Sequence, residues 1–268
     1  MVNASYGTKI IIEAARCAED SGLHHFFSTD HYMTPSSNAG VDAWATIAAI
    51  AATTSKIRIG SCVTPLTFRP PAQLAKIVAT VDQISSGRTI LGVGAGWSRS
   101  EFLGYSHWEE DIKTRVAKAK EALRLIIALW NEEGPLDFNG KYYKTEGAVL
   151  EPKPVQKPCI PFWFGTQGRT MLKLAAKYAD GWLPPVPGIG IEEYKRVIAL
   201  LRAEEQNFPN RKAPVTVACN GSLSELSSSK LEQFNQIGCG VALLVRSPKT
   251  TLNQDIVRFA KDVANSYS

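Results

Sequence analysis

Segments with the pattern of β-strands alternate with segments that have the pattern of helices along almost the whole chain. The helical stretches repeat apolar residues three and four positions apart, whereas the stretches between them are short, apolar and rich in β-branched residues. Because the connections are short, this alternation favours a parallel sheet covered by helices. The strand-like segments lie near residues 24, 57, 89, 160, 181, 215 and 241.

The number of strands does not match the number of helices. Eight helical patterns follow one another, and the first, Thr8 to Ser21, has no strand before it. A (β/α)8 barrel closes only with eight strands. We therefore predict an α/β TIM barrel whose first strand is missing from this chain, because of an upstream start, or one that is open or altered there. The segment Met1 to Gly7 reads as the loop after that strand. An open doubly wound sheet is the alternative, although no nucleotide-binding fingerprint follows the first visible strand.

We expect a single domain over residues 1–268, because this length suits one large α/β barrel and no linker divides the chain. Two small domains would also fit the length. An excursion from the alternating pattern occupies about residues 136–159. It begins as a hairpin around Asn139-Gly140 and continues as a proline-rich run.

The net charge and the cysteine content restrict the partners and the compartment that we expect for this protein. The net charge of +5 is modest and spread along the chain, which favours small anionic molecules over nucleic acid as partners. The five cysteines include no CxxC pair, which is typical of a reduced, cytoplasmic protein, and we predict no metal site. No apolar run reaches transmembrane length and the start lacks a signal-peptide core, so we expect no membrane partner.

The segment Leu91-Gly92-Val93-Gly94-Ala95-Gly96-Trp97 joins a buried strand to a glycine-rich exit, and Glu101 follows it. In α/β proteins ligands bind at the carboxyl ends of strands, and glycines let the backbone approach a ligand closely. Trp97 is therefore a candidate for the substrate pocket and Glu101 a candidate for catalysis. Short glycine repeats are weak signals on their own, and Glu101 fits a solvated helix position equally well.

Two other strand exits carry polar residues. Asp30 and His31 end the first visible strand; a histidine can move protons near neutral pH, whereas the aspartate could simply cap the next loop. Gly165-Thr166-Gln167-Gly168-Arg169 joins a later strand to a helix. Amides at a helix N-terminus together with an arginine form an anion site, although a capped helix with a surface arginine is the simpler interpretation. The loop lacks a Walker motif, which argues against nucleoside triphosphates.

Several segments, in order along nearly the whole chain, together resemble the bacterial luciferase-like superfamily. The most similar branch is that of the coenzyme F420-dependent oxidoreductases, including the methylene-tetrahydromethanopterin reductases. The resemblance implies a TIM barrel, usually a homodimer, that binds flavin mononucleotide (FMN) or F420 across the barrel mouth. The matching segments are Ala14 to Gly22, Ser28 to His31, Gly60 to Pro65, Ser86 to Trp97, Asn139 to Tyr143, Pro152 to Pro154 and Asp180 to Trp182.

The resemblance implies roles for particular residues. It places Asp30 and His31 at the cofactor ring, and we expect Asp30 to act through the orientation and charge of His31. It implies a backbone bulge at Cys62-Val63-Thr64 behind the ring, often with a non-prolyl cis peptide that would fall at Cys62-Val63. We expect Cys62 to pack rather than to act as a nucleophile. The exit Gly94-Ala95-Gly96 and the loop of residues 165–169, which would take a phosphate, complete the predicted cofactor site.

Two tryptophans bear on the substrate. The sugar-phosphate dehydrogenases of this family carry an acidic residue directly after the glycine-rich exit, where this chain has Trp97, and this difference argues against a sugar phosphate. Trp182 either forms the floor of the substrate pocket or is a core aromatic residue.

Three functions remain open at this point. The first is an F420-dependent oxidoreductase that passes a hydride between the deazaflavin and a small organic substrate. The second is a monooxygenase that uses reduced FMN and oxygen. The third is a non-catalytic flavin-binding relative, which the absent first strand would suit. Asp30, His31 and the late anion loop favour the first.

Overall fold

A curled parallel sheet surrounded by helices forms the body of the molecule in the computed structural model, which describes residues 1–33, 39–105, 110–186, 188–245 and 248–267. The strands are β1 His25–Ser28, β2 Arg58–Ser61, β3 Thr64–Pro65, β4 Thr89–Gly94, β5 Leu136–Asn139, β6 Lys144–Ala148, β7 Phe162–Gly165, β8 Gly181–Leu183, β9 Thr216–Gly221 and β10 Cys239–Leu244. The helices are α1 Thr8–Asp20, α2 Ala43–Thr53, α3 Pro71–Ile84, α4 Arg99–Gly104, α5 Ile112–Asn131, α6 Arg169–Tyr178, α7 Ile191–Glu205, α8 Ser228–Gln236 and α9 Leu252–Tyr267, after a short 3-10 helix, Ala4–Tyr6.

The strand order confirms the predicted barrel type of α/β fold. The strands of the sheet follow the order β1-β2-β4-β7-β8-β9-β10, and every neighbouring pair is parallel. The short strand β3 pairs in parallel with the carboxyl end of β4. A large apolar core lies between this sheet and the helices. Alternate residues of the strands point to the other face and form a smaller inner cluster, namely Phe27, Ile90, Trp163, Leu183, Ala218, Leu243 and Val245.

The position of the predicted missing first strand lies between β10 and β1. Within the described residues no strand ladder precedes α1, but Val2 forms a parallel bridge with Ser28. The amide of Val2 donates to the carbonyl of Phe27 at 2.8 Å, and the amino group of Met1 donates to the carbonyl of Leu244, in β10, at 2.8 Å. The prediction that residues 1–7 are all loop is therefore wrong for the first two, which occupy the end of the first strand position between β10 and β1.

The predicted hairpin is formed by β5 and β6, which pair antiparallel. Glu121 of α5 accepts hydrogen bonds from the backbone amides of Lys141, Tyr142 and Tyr143 at 3.0, 2.8 and 2.7 Å. These bonds hold the tip of the hairpin against the helix. No helix of the described segments is long and apolar enough to cross a membrane.

His25 lies inside the sheet at its amino-terminal end, opposite to the predicted site. Its ring stacks on Phe27 (centroids 6.1 Å apart) and tilts against Trp163 (5.5 Å). Burial, with smaller contributions from Arg58 and His24, lowers the pKa of His25 to about 4. The side chain is therefore neutral in the folded protein at pH values where the unfolded chain already carries a proton.

This difference between the pKa of His25 in the folded and in the unfolded protein predicts a fold that loses stability in acid. Between about pH 6.5 and pH 4 the unfolded state binds more protons at His25, so the free energy of unfolding falls as the pH falls, by about 2 kcal/mol from pH 7 to pH 5. His25→Phe, which preserves the aromatic contacts, should remove most of that loss in denaturant titrations. His24→Gln at the exposed neighbouring position should keep it. The opposite ranking of the two variants would contradict the assignment.

Candidate active site

The carboxyl ends of β1, β3, β4 and β7 bring most of the predicted residues to one edge of the sheet. His31 follows β1, the bulge lies between β2 and β3, and Trp97 and Glu101 follow β4. The described residues contain no group of three His, Cys, Asp or Glu side chains that could hold a metal ion.

Glu101 is the partner of His31. Its carboxylate is fully buried and lies on α4, with Oε2 2.8 Å from Nδ1 of His31. Oε1 accepts hydrogen bonds from the amides of Tyr32 (2.8 Å) and Met33 (3.3 Å). The interpretation of Glu101 as a solvated helix residue is therefore wrong. Because the carboxylate only accepts, neutral His31 carries its proton on Nδ1, which leaves Nε2 as a proton acceptor on a side chain that is 21% exposed.

Asp30 does not contact this pair but forms a second, separate cluster. Its buried carboxylate accepts two hydrogen bonds from Arg69, at 2.7 and 3.1 Å, and one from the hydroxyl of Thr64 at 2.8 Å. Arg69 also donates to Asp42 at 2.7 Å. Burial raises the pKa of Asp30, and the charge and hydrogen bonds of Arg69 oppose that rise. Of the two carboxylates, it is therefore Glu101 and not Asp30 that forms a hydrogen bond with His31.

The bulge has the predicted form. The peptide bond between Cys62 and Val63 is cis, and Thr64 resumes the sheet as β3. A Cβ atom on Gly92 would collide with the carbonyl of Ser61, and one on Gly94 or Gly165 would collide with Val63. Glycines of β4 and β7 therefore make room for the bulge itself, whereas Gly92 and Gly94 were expected to let the backbone approach a ligand.

Cys62 packs against the inner cluster and is partly buried. Burial raises the pKa of its thiol to about 12. A thiol with this pKa is protonated at neutral pH and a poor nucleophile, which supports the expected packing role.

The two tryptophans have different surroundings. Trp97 is 64% exposed, and its ring meets that of His31 edge-on with centroids 5.7 Å apart. Trp182 is fully buried in the outer core, where its Nε1 donates to the carbonyl of Thr166 at 2.6 Å. Of the two interpretations of Trp182, the structure therefore supports the core aromatic residue. Strand alternation explains this, because its neighbour Leu183 points to the inner cluster.

The loop between β7 and α6 is open at the surface. Gln167, Gly168 and Arg169 are exposed, and Arg169 forms no ion pair with any residue of the described ranges. A Cβ atom on Gly168 would meet nothing within 4 Å. The amides of the first turn of α6 and the guanidinium of Arg169 are thus accessible to an anion.

Three residues of the site were not predicted from the sequence, namely Arg69, Asp42 and Trp44. Trp44 donates from Nε1 to the hydroxyl of Thr64 at 3.0 Å and so extends the Asp30 cluster into α2. A signal was available for Arg69, because it lies just before the two prolines that open α3 and hence at the same edge as Asp30.

Two curated proteins of known name are similar to this chain in sequence. The F420-dependent glucose-6-phosphate dehydrogenase of Amycolatopsis mediterranei is 32% identical over 192 residues, which cover 70% of this chain and 56% of that protein. The 5,10-methylenetetrahydromethanopterin reductase of Methanopyrus kandleri is 33% identical over 201 residues, or 68% of this chain and 56% of that protein. The chain thus spans about half the length of these curated relatives.

Solved structures agree on the fold. An F420-dependent secondary alcohol dehydrogenase in complex with an F420-acetone adduct superposes with a TM-score of 0.85 at 20% identity, covering 99% of this chain and 98% of that chain. The family model described as luciferase-like monooxygenase matches residues 3–230. The chain therefore belongs to the luciferase-like monooxygenase family.

Proposed function

We propose that this protein is an F420-dependent oxidoreductase that transfers a hydride between the deazaflavin and a small organic substrate. The observation that carries the proposal is the hydrogen bond between His31 and the buried carboxylate of Glu101, at the carboxyl ends of the strands. The 32% identical relative is named as an F420-dependent glucose-6-phosphate dehydrogenase, which supports F420 as the cofactor.

The chemistry assigned to His31 is proton transfer. When bound, F420 supplies the group that accepts or returns a hydride. Oxidation of an alcohol removes a hydride from carbon and a proton from the hydroxyl, and Nε2 of His31 takes that proton; in the reverse direction it returns the proton to the carbonyl oxygen. Glu101 fixes the ring and stabilises the imidazolium that forms.

The residues present fit such a cofactor. The bulge with Val63 and Thr64, and the exit of Gly94, Ala95 and Gly96, would hold the ring system. The exposed first turn of α6 with Arg169 would hold the phosphate. Asp30 supports the bulge by accepting a hydrogen bond from the hydroxyl of Thr64.

FMN also carries a phosphate, so the loop alone does not separate the two cofactors, and an FMN-dependent monooxygenase is the second candidate. The name of the F420-dependent glucose-6-phosphate dehydrogenase, to which this chain is 32% identical, favours the first. We extend the proposal to a cytoplasmic homodimer; all five cysteines are free, which suits a reducing compartment.

Fluorescence titration tests the cofactor. The wild-type protein should bind F420 more tightly than FMN. Arg169→Ala should weaken F420 binding about ten- to a hundredfold, because one charge-assisted contact contributes about 1.5–3 kcal/mol. Gly168→Val should weaken it too, since the added side chain has free space in the protein and would cover only the anion site. Lys177→Ala removes one charge from the far end of the same helix and should leave binding unchanged.

Equal affinities, or tighter binding of FMN, would reject the proposed cofactor in favour of the monooxygenase. If F420 binds tightly and Arg169→Ala has no effect, the cofactor stands but the phosphate lies elsewhere. Absence of turnover in a protein that binds F420 would favour the non-catalytic relative.

A further inference from the structure

Trp97 is the most exposed large apolar side chain of the described residues, at 64%. Its position follows from the turn after β4. Gly96 has a φ of +80°, a conformation that glycine adopts readily, and a Cβ atom there would collide with the ring of Phe102. The chain therefore turns sharply and directs the indole outward instead of into the core.

The exposed indole lies beside the reacting group of the proposed enzyme. Its ring meets His31 at an interplanar angle of 71° with centroids 5.7 Å apart. Because Glu101 occupies Nδ1, only Nε2 of His31 is free for a substrate oxygen. A substrate bound there can place its substituent on the indole, and aromatic faces bind apolar or planar groups well.

We infer that Trp97 selects ketones or secondary alcohols that carry an apolar or aromatic substituent beside the reacting carbon. This inference rests on the proposed function, because it takes His31 as the group that contacts the substrate oxygen. The substituent packs on the indole while the oxygen lies at Nε2.

The test compares two probes by isothermal titration, on the protein with and without bound F420. Butanone and acetophenone share the methyl ketone and differ only in an ethyl or phenyl group. We expect acetophenone to bind about tenfold more tightly than butanone. Trp97→Ala should abolish the preference for acetophenone while changing butanone affinity little. Ile84→Ala removes an exposed apolar side chain at the far end of α3 and should preserve it.

Two results would overturn the inference: equal binding of the two ketones by the wild type, or a preference that survives in Trp97→Ala. Failure of the proposed function looks different. It shows as a wild-type protein that does not bind F420, whereas the ketone preference is read on the same protein without cofactor.

Discussion

Replacing His31 with alanine should lower turnover about a hundred- to ten-thousandfold while F420 affinity changes little. A positioned proton donor or acceptor contributes that factor to the rate, whereas a single edge contact to a bound ring contributes about 1 kcal/mol. Turnover numbers and cofactor dissociation constants measured on the same preparation separate the two effects. A His31→Ala enzyme with wild-type turnover would move the proton chemistry to another residue, with Glu101 the next candidate.

The partner of His31 gives a sharper form of the same test. Glu101→Gln retains an acceptor for the amides of Tyr32 and Met33 but can donate to Nδ1, which favours the tautomer with the proton on Nε2. We expect lower turnover and a displaced pH profile. In the double variant with His31→Ala the losses should not add, because Glu101 acts through His31.

Asp30→Asn is the matched control at a neighbouring buried carboxylate. The structure joins Asp30 to Arg69 and Thr64 rather than to His31. Its effect should therefore add to that of His31→Ala. Additive losses for Glu101→Gln, or a lack of additivity for Asp30→Asn, would contradict the two-cluster description.

The fold was largely predictable from periodicity, because most strands and most helices are long enough to show a repeat. Helix α4 was not predicted. It has six residues, of which Glu101 and Phe102 are buried, and one and a half turns leave no periodic signal. This short helix carries Glu101 inward, and without a repeat the sequence does not show which of its faces is buried.

The side-chain pairs within the site could not be predicted from periodicity. Alternating strands and helices place Asp30, His31, Arg69 and Glu101 at one edge. They do not say which carboxylate meets the histidine, since the actual partners are 70 residues apart in one pair and 39 in the other. For Trp182 the sequence left the pocket floor and the core as alternatives, and the structure places it on the outer face of β8, opposite Leu183.

The Asp30–Arg69 pair leads to the largest expected effect on stability. Arg69 is 10% exposed and Asp30 is fully buried, so Arg69→Met would leave a carboxylate without its counter-ion in the interior. Removing one partner of a buried ion pair typically costs about 3–5 kcal/mol, because the remaining charge is both desolvated and unpaired. Chemical denaturation at pH 7 measures the loss. Asp42→Asn should cost less than about 1 kcal/mol, because Asp42 is 45% exposed and asparagine can still cap α2.

Two further measurements distinguish an unpaired charge from simple loss of packing. In Arg69→Met the pKa of Asp30, already raised by burial, should rise further, so the folded state takes up a proton more readily than the unfolded state. The deficit relative to wild type should therefore shrink as the pH falls from 7 to 5. Adding Asp30→Asn to Arg69→Met removes the charge and should restore part of the lost stability. A deficit that is constant with pH and unchanged in the double variant would mean that Arg69 stabilises the loop by packing, and that the charge of Asp30 contributes little.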